Sequence, residues 1–335
     1  MKILFLGPFP TTFVTRDVDI LSRKHEVVSQ SSIFAKGAEA PWSFFKLTVV
    51  TLTKLFTADA VFMWFADYYT FFPTVVGRIL GKKVFVVAGG FDVGYIPEWN
   101  FGARSRPVRW FAVKNTFRFA THIFPVTQYT MDALNKLLPS HAPATVVFNA
   151  IETDVFTFDP SRVREEVILT VSQADTDLEY QRKGLDFFIE VARANPQLHF
   201  RMVSLRGRGY ERAVQEGGDL KNLEIVKGRI PLEDLLEHFR KAKVYCQFSI
   251  EETFGVSVAE AMACGCFPVV TPHPALMEVV GNAGKYTSRD IAVASEDVQE
   301  ALLRPEQERE IVRKQAMNFS IEQRAQKLLS IVDNA

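Results

Sequence analysis

The sequence predicts an α/β protein built from two Rossmann-like, doubly wound domains facing each other across a cleft. Three observations carry this reading. Short apolar runs recur along the chain between helix-like segments. The length, 335 residues, suits about two domains of roughly 100–200 residues each. The charge changes sign at mid-chain: residues 1–150 hold 16 basic against 9 acidic side chains and residues 151–335 hold 23 against 30, so a formal net charge of zero conceals halves of +7 and −7.

The first run, residues 2–6, is continuously apolar and stops at Gly7-Pro8, the pattern of a strand buried on both faces. Residues 15–23 place Val18 and Leu21, with neighbouring Ile20, at helical spacing, and Glu26-Val27-Val28 returns to strand character. Further strands are expected at 60–64, 84–88, 122–126 and 145–148. The second half repeats the scheme at 167–171, 200–203, 224–226, 244–248 and 267–270. Strands alternating with helices imply parallel sheets covered on both faces. Asn149-Ala150-Ile151-Glu152-Thr153-Asp154 is polar and aperiodic and reads as the linker. The domains are therefore expected at 1–150 and 151–335, with a C-terminal helix able to pack back on the first. Ligands of such sheets bind outside the strand carboxyl ends, so a shared substrate site is expected there.

Composition narrows the function. Hydrophobic residues make up 47% and charged residues 23%, which excludes a disordered chain, a collagen-like repeat and a disulfide scaffold. Zero total charge argues against a nucleic-acid binder. Cys246, Cys264 and Cys266 form no Cys-x-x-Cys pair, and the apolar start is too short for a signal peptide, so a reduced, cytoplasmic setting is expected. No apolar stretch reaches the roughly 18 residues of a spanning helix. The histidines show no His-x-x-x-His spacing and no paired aspartates stand out, so no metal is expected.

The most informative segment is Glu251-Glu252-Thr253-Phe254-Gly255-Val256-Ser257-Val258-Ala259-Glu260-Ala261-Met262-Ala263-Cys264-Gly265. It follows a strand and has the composition of a loop entering a helix. Gly255 removes a side chain where backbone approaches a ligand. The amides of Val256 and Ser257 would then meet an anion at a helix N-terminus, as a phosphate requires. Glu252 before the helix and Glu260 inside it supply acceptors for sugar and ribose hydroxyls. On spacing alone, the two also read as solvated glutamates flanking an ordinary helix start.

The wider pattern resembles the Glu-x7-Glu signature of the family 4 (group 1) glycosyltransferases, a retaining family with the two-domain GT-B architecture. That family's Glu-x-Phe-Gly, Glu-Ala-Met-Ala-x-Gly and following apolar strand are similar to Glu252, Phe254, Gly255, then Glu260-Ala261-Met262-Ala263-Cys264-Gly265, then Pro268-Val269-Val270. Asn149 to Phe156 is similar to its linker, and Arg182-Lys183-Gly184 to its diphosphate-binding Lys-Gly. The resemblance implies a metal-independent transferase with no cofactor, whose donor substrate is a nucleotide-diphosphate sugar and whose acceptor is a glycan, a lipid-linked sugar or a small molecule. It implies that Lys183 and Arg182 stabilise the leaving diphosphate and that Glu252 touches the sugar. Gly7, ending the first strand, and Ile230, in Gly228-Arg229-Ile230, are carried over as donor contacts, with a plain tight turn the other reading of Gly7. Arg206-Gly207-Arg208-Gly209 is a further place for backbone to approach the nucleotide.

The departures bear on the same chemistry. Where many members have Gly-Arg, this chain has Ser172-Gln173, so Gln173 offers hydrogen bonds without charge. Where many have His-Gly, it has Val87-Ala88-Gly89-Gly90-Phe91-Asp92, which leaves Asp92 either to touch the sugar or acceptor hydroxyl or to cap the next segment. After Gly7-Pro8-Phe9-Pro10 it has Thr11-Thr12-Phe13 rather than a Gly-Gly pair. A non-catalytic sugar-nucleotide-binding subunit and a sugar-nucleotide epimerase on the same fold are the alternatives.

Two first-domain segments interleave aromatics with cations: Trp42 to Val50 continuing to Lys54-Leu55-Phe56, and Arg104 to Phe111 continuing to Lys114 and Arg118. They read either as amphipathic helices in peripheral contact with an anionic membrane or as ordinary sheet-packing helices with core aromatics and solvated cations.

Overall fold

A computed structural model describes residues 1–33, 35 and 37–335. The chain forms two compact units, Met1–Ala150 together with Ile321–Ala335, and Ile151–Ser320. The expected second domain thus ends at Ser320, and the last fifteen residues join the first unit.

In the first unit, β1 (Lys2–Gly7), β2 (Glu26–Ser31), β3 (Ala60–Trp64), β4 (Lys83–Ala88) and β5 (His122–Pro125) form one sheet in the order β2-β1-β3-β4-β5. Every adjacent pair is parallel. The central strands are buried along nearly their whole length, as parallel strands covered on both faces must be. Helices α1 (Thr12–Ser22), α2 (Ala40–Thr57), α3 (Tyr68–Ile79) and α4 (Pro107–Phe119) make the crossovers, and α5 (Gln128–Leu137) follows β5. Asp67 and Thr127 start α3 and α5 with capping boxes closed by Thr70 and Thr130.

Residues 145–148 do not form the expected strand. Thr145 and Val147 donate to the carbonyls of Ile123 and Pro125, but Pro125 has no N–H to return a bond, and the ladder stops at the single Ile123–Ala144 bridge.

The second unit contains β6 (Glu165–Val171), α6 (Asp177–Arg182), α7 (Leu185–Ala194), β7 (His199–Leu205), α8 (Gly207–Gly217), β8 (Leu223–Lys227), α9 (Leu232–Lys241) and β9 (Ala242–Gln247). It continues with α10 (Val256–Ala263), β10 (Phe267–Val270), α11 (Pro274–Val280), β11 (Lys285–Tyr286), α12 (Ile291–Leu302) and α13 (Glu308–Ala316). Its sheet runs β11-β10-β9-β6-β7-β8, again all parallel. Strand order reverses between β1 and β3 in one sheet and between β6 and β9 in the other. Crossovers leave those points in opposite directions and open a crevice at the strand carboxyl ends.

The final helix, α14 (Ile321–Asn334), packs on α1. Arg324 forms a two-pronged pair with Asp17, at 2.6 and 2.7 Å, and donates to the carbonyls of Val147 and Phe148. Trp64 Nε1 donates to the same carboxylate at 2.7 Å. Asp17, Trp64 and Arg324 are all buried. Replacing the arginine strands a buried carboxylate, so Arg324→Met is expected to lower the stability of the first unit by about 3–5 kcal/mol. Urea denaturation followed by tryptophan fluorescence checks this, and a loss below about 1 kcal/mol would contradict it.

Candidate active site

The loop after β9 carries the densest polar arrangement of the second unit, at that unit's switch point. Lys183 Nζ donates to Glu252 Oε2 at 2.7 Å, and Gln247 Nε2 donates to the same oxygen at 2.9 Å. The Thr253 amide reaches Glu252 Oε1 at 3.1 Å. Burial alone would push the Glu252 pKa up, but the charges of Lys183 and Arg182 and the hydrogen bonds outweigh it and lower the pKa to about 2. Glu252 is therefore an anion at neutral pH and acts as a hydrogen-bond acceptor only.

The backbone around the pair is fixed by close approach. Gly184, at φ 67°, opens α7, and a Cβ there would lie 2.1 Å from the Phe248 carbonyl oxygen. The Ile250 amide donates to the Arg182 carbonyl, and Arg182 Nη1 donates to the Glu251 carbonyl at 2.9 Å. The junction of α6 and α7 is thus stitched to the loop after β9. Gly255, at φ 87°, precedes α10, whose N-terminus has no side-chain cap. The first amides of that helix are left for an outside acceptor, with the helix dipole behind them.

In the first unit a cavity of about 260 Å³ opens at the switch point and is lined by Pro8, Ser32, Phe65, Tyr69, Phe91 and Arg109 among others. Phe65 holds a left-handed backbone at φ 62°, costly for a non-glycine residue. Its neighbours over-determine that turn. The Tyr69 hydroxyl donates to the Trp64 carbonyl, Asp92 Oδ2 accepts from the Ala66 amide at 3.1 Å, and Asp92 Oδ1 accepts from the Gly90 amide at 2.8 Å. Arg109 pairs with both oxygens of Asp67, and its guanidinium lies 4.4 Å from the Phe91 ring centre. Asp92 is fully buried with only backbone donors on it, and desolvation raises its pKa to about 6.

Residues 159–318 match the family model described as glycosyl transferases group 1. The match falls wholly within the second unit. No curated protein matches the sequence. Solved structures similar over nearly the full length include HepE of Anabaena in complex with UDP, at 15% identity and TM-score 0.78, with all of each chain covered. Sucrose-phosphate synthase of Thermosynechococcus elongatus follows at 14% identity and TM-score 0.79, with 100% of this chain and 98% of that chain covered. A glycosyltransferase of Rickettsia africae is similar at 15% identity and TM-score 0.71, covering 98% and 97%. At these identities the likeness gives the fold: two parallel-sheet α/β domains of the GT-B glycosyltransferase class.

Within the group 1 segment, Lys183, Arg182, Glu252, Gly255, Val256 and Ser257 are brought together around the loop after β9 and the start of α10. Glu260 lies one turn into α10 and is largely buried. Gln173 is exposed just after β6 and Ile230 is half-buried after β8. Phe254 points the other way: its ring is buried edge-on against Phe319, which leaves only its backbone for a donor. Gly207 and Gly209 are also spoken for, since a Cβ on Gly209 would lie 2.2 Å from the Ala174 carbonyl oxygen. The backbone they admit is the chain's own. Gly7 ends β1 beside the first-unit cavity, its carbonyl accepting from the Phe9 and Ser32 amides. Asp92 caps no helix; it bridges two strand-end loops.

Sequence reasoning missed Gln247, which orients Glu252, and the Asp67–Arg109 pair. Only the Asp-x-x-Thr capping pattern hinted at Asp67. Among the described residues no group of three His, Cys, Asp or Glu side chains is placed to hold a metal. A larger hollow, about 390 Å³, opens at the amino edge of β6–β8, away from the chemistry.

Because its folded pKa is raised, protonated Asp92 contributes stability that is complete below the unfolded value near 3.8 and is lost as pH rises through about 6. Relative to Asp92→Asn, the natural protein should therefore lose about 1–1.5 kcal/mol between pH 5 and pH 8. Paired denaturation curves at the two pH values measure this, and a pH-independent difference would refute it.

Proposed function

We propose that this chain is a retaining, metal-independent glycosyltransferase that moves a hexose from a nucleotide-diphosphate sugar to a glycan, lipid-linked or small-molecule acceptor. The observation that carries the reading is the Lys183–Glu252 pair beside the uncapped start of α10, inside the segment that matches the group 1 family. UDP and UDP-glucose complexes of a structural neighbour support a sugar-nucleotide donor.

The geometry divides the work by charge. The amides of Val256 and Ser257, with Lys183 and Arg182, receive the diphosphate and stabilise the negative charge that grows on it as the bond from the sugar's anomeric carbon to the phosphate oxygen breaks. Glu252, held anionic, accepts a sugar hydroxyl and fixes the ring. The acceptor oxygen bonds to the anomeric carbon on the face the phosphate leaves, and its proton passes to a phosphate oxygen. Glu252 does not serve as the acid, since an acid with a pKa near 2 is already deprotonated. Gln173, uncharged where many relatives in the resemblance carry arginine, leaves the phosphate to these two cations and the helix amides. The first-unit cavity, with Asp92 at its floor and aromatic walls, is the acceptor pocket in this reading.

A thermal-shift screen over nucleotide-diphosphate sugars should raise the melting temperature for one donor class, by mass action. With that donor, Glu252→Gln is expected to lower kcat about 10²-fold or more while donor affinity changes only a few-fold, and Lys183→Ala to weaken donor binding at least about tenfold. Both variants showing turnover and donor affinity like the natural protein would overturn the assignment. Donor binding without hydrolysis or transfer under any acceptor would favour a non-catalytic binding subunit.

A further inference from the structure

The structure resolves the ambiguity of the aromatic segment at 42–56. None of the first eleven residues of α2 is buried, although the helix is rich in apolar side chains. Trp42, Phe45, Val49 and Phe56 are 70%, 57%, 42% and 62% exposed. At 100° per residue these four positions fall within about 60° of arc, a single outward stripe. The Trp42 and Phe45 rings stack at 5.7 Å, giving a continuous apolar face rather than scattered contacts.

The stripe has neighbours. Helices α2, α3 and α4 pack side by side, and each returns between parallel strands, so the three run in one direction with their N-terminal ends at the carboxyl edge of the sheet. At that same edge α4 exposes Val108 and Phe111. Helix α2 carries two lysines, Lys46 and Lys54, and no acidic residue, and Arg104, Arg106 and Arg118 are exposed on or beside α4. Exposed aromatics with cations that outnumber the one acid at the start of α2, Glu39, suit a surface that is apolar below and anionic above. A soluble partner of ordinary mixed charge matches it less well. No helix among the described residues is long and apolar enough to cross a bilayer, so any such contact is lateral.

We infer that the exposed Trp42–Phe45–Val49–Phe56 face of α2, with Lys46 beside it and the adjoining end of α4, docks the first unit on an anionic phospholipid bilayer. The Trp42–Phe45 end of this face lies at the sheet edge at which the Asp92 cavity opens, so a substrate held at the lipid surface would be presented to it. The docking itself does not depend on the transferase reading and is read by vesicle binding alone.

Co-sedimentation of the full chain with vesicles of phosphatidylcholine, and of phosphatidylcholine with roughly one-third phosphatidylglycerol, tests it. Binding is expected only to the anionic vesicles, with a blue shift of tryptophan fluorescence that Trp42→Ser abolishes. The double variant Trp42→Ser/Phe45→Ser, altered only at exposed positions, should bind at least about tenfold more weakly with an unchanged melting temperature, and Lys46→Gln/Arg106→Gln should weaken binding and flatten its salt dependence. Absence of binding to either vesicle would overturn the inference, as would binding indifferent to Trp42 and Phe45. A dimer in solution that the same double variant dissociates, without vesicle binding, would assign the face to a second copy and overturn it as well.

Discussion

A carboxylate as buried as Glu252 cannot stay charged alone, and most of the second unit's site follows from the way its charge is compensated. Desolvation of an isolated anion costs several kcal/mol, so a cation has to be held within hydrogen-bond distance. The cation is Lys183, 69 residues earlier in the chain. Bringing it there forces the α6–α7 junction against the loop after β9. That approach in turn requires the left-handed Gly184 against the Phe248 carbonyl, and the Ile250–Arg182 backbone bond and the Arg182 guanidinium on the Glu251 carbonyl lock it. The same loop then has to turn sharply into α10, which Gly255 allows. One compensated charge thus fixes two chain segments and leaves a helix N-terminus uncapped beside a lysine, the combination on which the proposed diphosphate site rests.

The first unit treats three carboxylates, buried Asp17 and Asp92 and half-buried Asp67, in three ways. Asp17 is neutralised by Arg324 and Trp64 and serves only to bind α14 to the sheet. Asp67 is neutralised by Arg109 and starts α3. Asp92 is held by backbone amides, among them those of Ala66 and Gly90, and burial without a cation lifts its pKa into the range where a proton is readily exchanged. Its position at the floor of a mainly apolar cavity, beside a strained Phe65, gives it the environment expected of a functional acid or base rather than of a structural one.

Much of this was legible in the sequence, and what was not has a common cause. The strands at 60–64 and 267–270 coincide with β3 and β10 because a strand buried on both faces has to be continuously apolar. The run at 145–148 looked the same, but a proline on its neighbour removed the donor that a ladder needs. The two-residue β11 has no run to detect. At the site, Glu252, Gly255 and the start of α10 could be read locally, and Lys183 entered only through resemblance, since a pairing across 69 residues leaves no periodic trace. Phe254 enters as a donor contact through the resemblance, and the Arg-Gly-Arg-Gly stretch because a glycine in a loop signals close approach without saying to what. The approach here is to Phe319 and Ala174.

The charge split gains meaning from the same distinction between compensated and uncompensated groups. The segment that joins the first unit from the chain's end, residues 321–335, holds two basic and two acidic side chains, so it leaves that unit's excess of seven positive charges intact. Arg16, Arg109 and Arg324 are spent inside the unit on the Ala150 carbonyl, Asp67 and Asp17. The remaining excess cannot be balanced internally and has to face outward, where α2 itself carries two lysines and no acid within its length. A surface that is both positive and apolar is unfavourable in water on two counts: like charges repel, and exposed aromatics order solvent. An anionic, apolar boundary relieves both, which is why the electrostatics of the first unit and the exposure of Trp42 and Phe45 point to one occupant.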